Sequence, residues 1–443
     1  MKKQRVLFAT DVPFWWQSTG AEQRIFGIQR FLKREGMDCG VFYLSKLSDE
    51  EERLVAKHDL NVFAVSSDQP PEKILSRLRW YADATINQAR NWLARDTASA
   101  VAVVDGPPSL TLEDFVWPWA LTRFREVVDT FAPDVIICEY IKMAYLLDAL
   151  SVTQRNETTC LLDTHDVLHK RAEQFFAHGF PHWLEIDREG EAEVLKQFDA
   201  VIAIQNQEAS VFREMTDSQV ETITVGHAVD DSMGNDDELF TKIENESESP
   251  DKLVVGYIGS KNFSNWQAIR EFLNCAWPSV VMRNKQKCEL VIAGGICEWF
   301  DLDDQGKLVA NFDKLDAPED VFEHVRLLGR VDELSEFYDK IDVVINPVQF
   351  GTGLKIKNAE SLRFGKLLIT TLNGFHGMPE ATRLACKVVE DVNEMGLAIN
   401  SICNDLSSIR PMQQLALQLA QTEFSEQTAY SELKQFLTSH KPE

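Results

Sequence analysis

Short unbroken apolar runs alternate along the chain with longer stretches in which apolar residues recur every three or four positions. Arg5 to Thr10 is such a run, and Asp11 to Gly20 follows as a loop. Ala21 to Glu35 then places Ile25, Phe26, Ile28, Phe31 and Leu32 on one helical face. Gly36 is the expected stop and Cys39 to Leu44 the next strand, so the opening reads as a βαβ unit. The alternation recurs in Asp134–Cys138, Thr158–Leu162 and Phe198–Ile204, then in a helix from Gln207 to Met215 and a strand from Val220 to Val225. Continuous apolar strands between helices indicate a parallel sheet covered on both faces.

The pattern breaks between Gly226 and Asp251, where Asp230, Asp231, Asp236, Asp237, Glu238, Glu244, Glu246 and Glu248 crowd among Ser and Asn. That composition reads as a solvated linker. A second alternation follows. Its expected strands are Leu253–Ile258, Cys288–Ala293, Val325–Leu328, Asp342–Asn346 and Leu367–Thr370. Its expected helices are Asn265–Met282, interrupted by Pro278, then Asp332–Lys340 and one starting at Asn358. The fold class is therefore α/β, with two tandem Rossmann-like domains whose crevices are expected to face each other across a cleft. The expected boundaries are 1–228 for the first domain, 229–250 for the acidic linker and 251–410 for the second domain. Residues 411–443 are expected as a C-terminal helix packing back on the first domain.

The length of 443 residues suits two or three domains. The net charge of -25 argues against a nucleic-acid partner, which is gripped by clustered Lys and Arg. The eight cysteines form no C-x-x-C pair or zinc spacing and read as buried thiols in a reducing compartment. The apolar start stops at Asp11, short of a signal sequence, and no run is long enough to cross a membrane. A cytoplasmic protein is expected. The stretch Ile74–Leu93 reads as an amphipathic basic helix, which suits either packing on the first domain or a peripheral contact with a membrane surface.

The candidate chemistry centres on Gly351-Thr352-Gly353-Leu354-Lys355-Ile356-Lys357-Asn358-Ala359-Glu360, between an expected strand and an expected helix. Glycines there let the backbone approach a ligand, and the free amides of a helix start attract an anion. Lys357 and Glu360 share a helical face and suit a pyrophosphate and a ribose diol; the plainer alternative is a Gly-rich turn with a surface Lys–Glu pair. In the first domain, Asp163-Thr164-His165-Asp166 ends a strand, where a crevice residue belongs. His165 and Asp166 are candidates there, against the reading of a capping Asp and a structural His. His169 and Arg171 follow on the same presumed helix. In the first crevice loop, Trp15, Trp16 and Gly20 are candidates for an acceptor, since aromatic faces stack on sugar CH groups.

The run from Pro347 to Lys366, with Leu328-Gly329-Arg330-Val331 before it and Thr370-Thr371, Gly374 and Gly377 after it, resembles the donor motif of family-4-like retaining glycosyltransferases with the GT-B fold. The resemblance spans most of the chain and is weakest between about Ser45 and Asp129. It implies that Glu360 binds a donor ribose, that amides of Gly351, Thr352, Gly353 and Leu354 meet the diphosphate or sugar, and that Gly329 and Arg330 lie by the base. It also implies a basic role for Lys357, a donor-sugar contact for His165 and no required metal or cofactor. A UDP- or GDP-linked donor is expected, with a carbohydrate or lipid-linked acceptor such as those of bacterial surface-polysaccharide synthesis. Two departures stand out. Thr352 occupies a position where many relatives carry a second glutamate. The loop Gly259-Ser260-Lys261 lacks the usual Arg after the glycine, and Lys261 is the candidate replacement. A non-catalytic nucleotide-sugar-binding partner and a sugar-nucleotide epimerase are the alternative functions.

Overall fold

The structure, a computed structural model, describes residues 3–440 apart from 66–109, 178–181, 230–238, 240, 242, 244–251, 285–286, 303–307, 311–314, 316–317 and 332. The expected basic helix at 74–93 lies outside the described residues, as does nearly all of the acidic linker. Among the described residues, those up to Ala228 and from Ala429 onward form one compact unit, and those from Val229 to Thr428 form another.

The first unit is built on seven parallel strands: β1 (Arg5–Thr10), β2 (Asp38–Tyr43), β3 (Asn61–Ala64), β4 (Val135–Glu139), β5 (Thr159–Asp163), β6 (Ala200–Ala203) and β7 (Glu221–Thr224). Their order is β3-β2-β1-β4-β5-β6-β7, so the winding reverses between β1 and β4, where an open α/β sheet holds its ligand-binding crevice. The period-2 alternation of a strand divides each run between two cores. Leu7, Ala9, Ile136 and Cys138 face one, and Val6, Phe8, Val135 and Ile137 face the other. The second core also takes Leu433, Phe436 and Leu437 of the helix Ser431–Ser439.

The second unit holds β8 (Leu253–Ile258), β9 (Cys288–Ala293), a two-stranded antiparallel ribbon of β10 (Phe300–Leu302) and β11 (Leu308–Ala310), then β12 (Val325–Gly329), β13 (Val343–Asn346), β14 (Leu367–Thr371) and β15 (Cys386–Val389). Six of these make a parallel sheet in the order β12-β9-β8-β13-β14-β15, with its reversal between β8 and β13.

Several elements differ from their sequence expectation for identifiable reasons. Pro278 does not break its helix. The wide turn Phe272–Ala276, in which Trp277 N–H reaches back to Phe272, lets the helix Phe263–Glu271 run on into Trp277–Asn284. The stretch expected as one C-terminal helix is three, Ile409–Glu423, Glu426–Ala429 and Ser431–Ser439. The helix expected over 332–340 is confined to Ser335–Tyr338.

Candidate functional site

The turn after β13 is shaped by Gly351 and Gly353, whose φ values of 112° and 77° side chains rarely tolerate. Lys355 closes it from within, its Nζ donating to the carbonyls of Thr352 at 2.8 Å and Gly353 at 2.9 Å. With those carbonyls turned to Lys355, the helix Ile356–Arg363 starts without a side-chain cap and without an acidic residue in its first turn. The positive end of its dipole is thus not neutralised by an acid of its own first turn.

A buried amide chain fixes this helix to the sheet. Asn346 at the end of β13 donates to Asn358 Oδ1 at 2.9 Å, and Asn358 donates to the Gly374 carbonyl at 2.7 Å. Thr371 accepts from Gly374 N–H at 2.9 Å and donates to the Val348 carbonyl. Each of these buried side chains makes at least one hydrogen bond, although Asn346 Oδ1 is left without a partner.

Lys357 lies over the ring of Tyr257 in β8, 4.6 Å from its centroid, and donates to Asn265 Oδ1 at 2.9 Å. Burial pushes its ammonium down to about 7, against the opposing pull of Glu360. Glu360 is buried and hydrogen-bonded to the Tyr338 hydroxyl. Lys357 and Glu360 therefore share a face and an electrostatic environment, while Leu354 turns its side chain into the core.

Gly259, Lys261, Gly329 and Arg330 come together at the ends of β8 and β12. Gly294 stands between them with φ 89°, donating to the Gly329 carbonyl at 2.7 Å, and a Cβ on it would meet the Gly259 carbonyl at 2.4 Å. Glu298 accepts from Lys261 at 2.9 Å and from Arg330 at 2.7 Å, so neither cation stands alone.

The first unit gathers its polar groups beneath the surface. Arg24 donates through Nε and Nη2 to both carboxylate oxygens of Asp163, at 2.8 and 3.0 Å, and through Nη1 to the carbonyls of Val225 and Gly226. Glu139, the last residue of β4, meets His165 Nε2 at 2.8 Å. Single ligand atoms of Glu139, Asp163 and His165 lie within 4.8 Å of one another. Arg24 occupies both oxygens of Asp163 and supplies the positive charge that a bound cation would bring.

Asp166 pairs with Arg171 rather than orienting His165, and His169 is held by Glu191 at 2.6 Å. The acceptor expectation for Trp15 is corrected: the ring is 1% exposed and packs edge-on to Tyr43 at 4.8 Å. Its neighbour Trp16 is 40% exposed. Gly20 opens the helix Gly20–Arg34, whose start is filled by the Glu22 carboxylate, which accepts from Ser18 N–H at 2.6 Å and Ser18 Oγ at 2.8 Å.

Sequence reasoning gave no role of their own to Arg24, Glu139, Glu298, Asn346 and Asn358. Glu139 carried a usable signal, since a carboxylate directly after Val135-Ile136-Ile137-Cys138 falls at the carboxyl end of a buried strand.

With this geometry in hand, the chain was compared with known proteins. Residues 252–405 match the family model described as glycosyl transferases group 1. No curated protein sequence matches the chain. Among solved structures, the Anabaena protein HepE in complex with UDP-glucose is similar at 14% identity and TM-score 0.61, covering 98% of this chain and 99% of that one. The sucrose-phosphate synthase of Thermosynechococcus elongatus is similar at 12% identity and TM-score 0.63, covering 99% of each chain. The S. aureus protein TarM, as a variant in complex with fondaparinux, alpha-GlcNAc-glycerol and UDP, is similar at 10% identity and TM-score 0.62, covering 99% of this chain and 100% of that one. The α/β architecture, with parallel sheets of seven and six strands, is the GT-B fold of these glycosyltransferases. The donor residues named from the sequence all fall within the matched span, at the end of β12, in the loops that follow β8, β12 and β13 and on the first turns of the helix Ile356–Arg363. Among the described residues, no helix is long and apolar enough to cross a membrane.

Proposed function

We propose that the chain is a glycosyltransferase that takes a nucleotide sugar on its second unit and transfers the sugar to a hydroxyl acceptor. The observation that carries this reading is the uncapped start of the helix Ile356–Arg363, at the winding reversal of the second sheet, with Lys357 on its first turn and Glu360 one turn on. A diphosphate there would meet the positive end of the helix dipole, with Lys357 countering its charge as the sugar leaves. Glu360 would accept from a ribose diol. UDP is the favoured nucleotide, since HepE and TarM are both described in complexes with it.

With the leaving diphosphate held this way, the acceptor hydroxyl would attack from the same face, giving retention without a protein nucleophile. A carbohydrate or a lipid-linked acceptor is proposed, handled by the first unit around His165 and the exposed Trp16. Donor hydrolysis and transfer, with UDP- and GDP-sugars as the donors, test the assignment. Glu360→Ala is expected to weaken donor binding at least about tenfold, the loss of a charged hydrogen bond. Unchanged binding and turnover would remove the site from this segment, and binding with no turnover on any acceptor would favour a non-catalytic nucleotide-sugar-binding role.

A further inference from the structure

The carboxyl end of β4 carries a buried carboxylate, Glu139, to which the transfer reaction as described gives no role. Glu139 Oε2 lies 2.8 Å from His165 Nε2, and Glu139 Oε1 is buried without a hydrogen-bond partner. His165 Nδ1 makes no hydrogen bond among the described residues, and the side chain is 6% exposed. The pair is held rigidly. His165 has φ 62° and Tyr140 has φ 68°, and their rings stack at 4.0 Å with planes 10° apart. Positive φ at such residues costs energy that the surroundings must maintain.

The neighbouring charges can be counted. Asp163 and Arg24 face Glu139 and compensate each other. Around Tyr140, Asp166 pairs with Arg171 and Asp11 with Lys142. Burial holds His227, beside Arg24, down to about 3 and so neutral. The protons on Glu139 and His165 therefore decide the local charge.

With one proton between them, the Glu139 carboxylate accepts from Nε2–H, Nδ1 is bare and the pair is negative. With two, Nδ1 carries a hydrogen whether the second proton rests on the imidazolium or on the carboxyl, and the pair is neutral. Burial opposes the negative form. We propose that Glu139 is a positioning residue that keeps the pair in its two-proton form at neutral pH, so that His165 offers Nδ1–H as a hydrogen-bond donor to a hydroxyl of the sugar substrate. In agreement with this, burial and Asp163 push the Glu139 carboxyl up to about 7, against the pull of His165 and Arg24. Only the sugar as recipient rests on the transferase reading; the proton count does not.

The test is a long-range 1H–15N titration of the full chain labelled at histidine, with the His165 signal assigned by its loss in His165→Asn. The expected result is a protonated Nδ1 at pH 7 that becomes bare in a single step at higher pH. Glu139→Met should move that step down by about one pH unit or more. Glu139→Gln, which mimics the protonated carboxyl by donating to Nε2, should keep Nδ1–H and lose the step. A bare Nδ1 in the wild-type protein at pH 7, or a Glu139→Met titration like the wild type's, would overturn the proposal. The wild-type spectrum alone decides if the variants do not fold. In the transferase assay, kcat should fall along the same pH step. A chain that neither binds nor turns over any nucleotide sugar refutes the transferase reading and leaves the spectra to judge the pair.

Discussion

The two units each place a helix directly behind a strand at the winding reversal of a parallel sheet, and the two helix starts are finished differently. The helix Gly20–Arg34 brings its own anion. Thr19 and Glu22 form a capping box, and the Glu22 carboxylate accepts from the backbone N–H of Ser18 and Thr19 just before the helix, placing a negative charge at its start. The helix Ile356–Arg363 has neither a cap nor an acid in its first turn. A helix start satisfied from within has little to offer a phosphate, whereas an open one retains the field of its dipole. The same division runs through the surrounding residues. The first unit buries its Arg24–Asp163 pair, and the second places Lys357 on the first turn of its helix. The difference favours the second unit as the place for the proposed diphosphate.

The largest effect is expected where the first unit's network is broken. Arg24→Met leaves Asp163 buried and unpaired, together with the carbonyls of Val225 and Gly226. Removing one partner of a buried pair costs about 3–5 kcal/mol, to be read by chemical denaturation. A loss below about 1 kcal/mol would show that Asp163 takes up a proton or finds water in place of Arg24. Next comes Glu22→Ala, which deletes the internal anion. Losing the cap should cost about 1–2 kcal/mol. If UDP bound this variant at a second site, the contrast between the two helix starts would be confirmed in its strongest form.

Lys357 sharpens the comparison from the other side. Burial holds its folded-state value near 7, below the ordinary 10.5. Between those values the unfolded chain binds more protons than the folded one, so this group makes stability rise with pH from about 7 to 10.5. Lys357→Met should abolish that rise, visible in denaturation midpoints taken across the range. A bound diphosphate favours the ammonium, so UDP binding at pH 8 should take up a proton. Calorimetry in buffers of different ionisation enthalpy measures the uptake, which should vanish in Lys357→Met while affinity drops about tenfold.

What the sequence disclosed follows the same division. Buried strands announce themselves because both faces need apolar residues, so β1, β8 and β9 were legible with almost the observed bounds. The edge strand Asn61–Ala64 was not, because no residue of it is fully buried and its pattern is correspondingly weak. The glycine turn was legible because backbone geometry restricts residue type. Arg24 was not, because a buried ion pair joins residues far apart in the chain, and the arginine alone looks like an ordinary surface charge. Asn346 and Asn358 were hidden for the same reason: each is an unremarkable polar residue until the fold sets one against the other.

The smallest effect is expected at Glu298, which joins Lys261 to Arg330 at the surface of the second unit. Exposed ion pairs are screened by water, and holding long side chains in place costs entropy. Glu298→Gln should therefore change stability by less than about 0.5 kcal/mol. Its effect on ligands should be of another kind. Without the carboxylate, Lys261 and Arg330 add unbalanced positive charge at the ends of β8 and β12, beside Gly259 and Gly329. UDP should then bind somewhat faster, and this gain should disappear as salt screens the field. An association rate unchanged at low salt would mean that the two cations do not contribute to the field seen by the arriving nucleotide, which would leave Lys357 and the open helix start as its source.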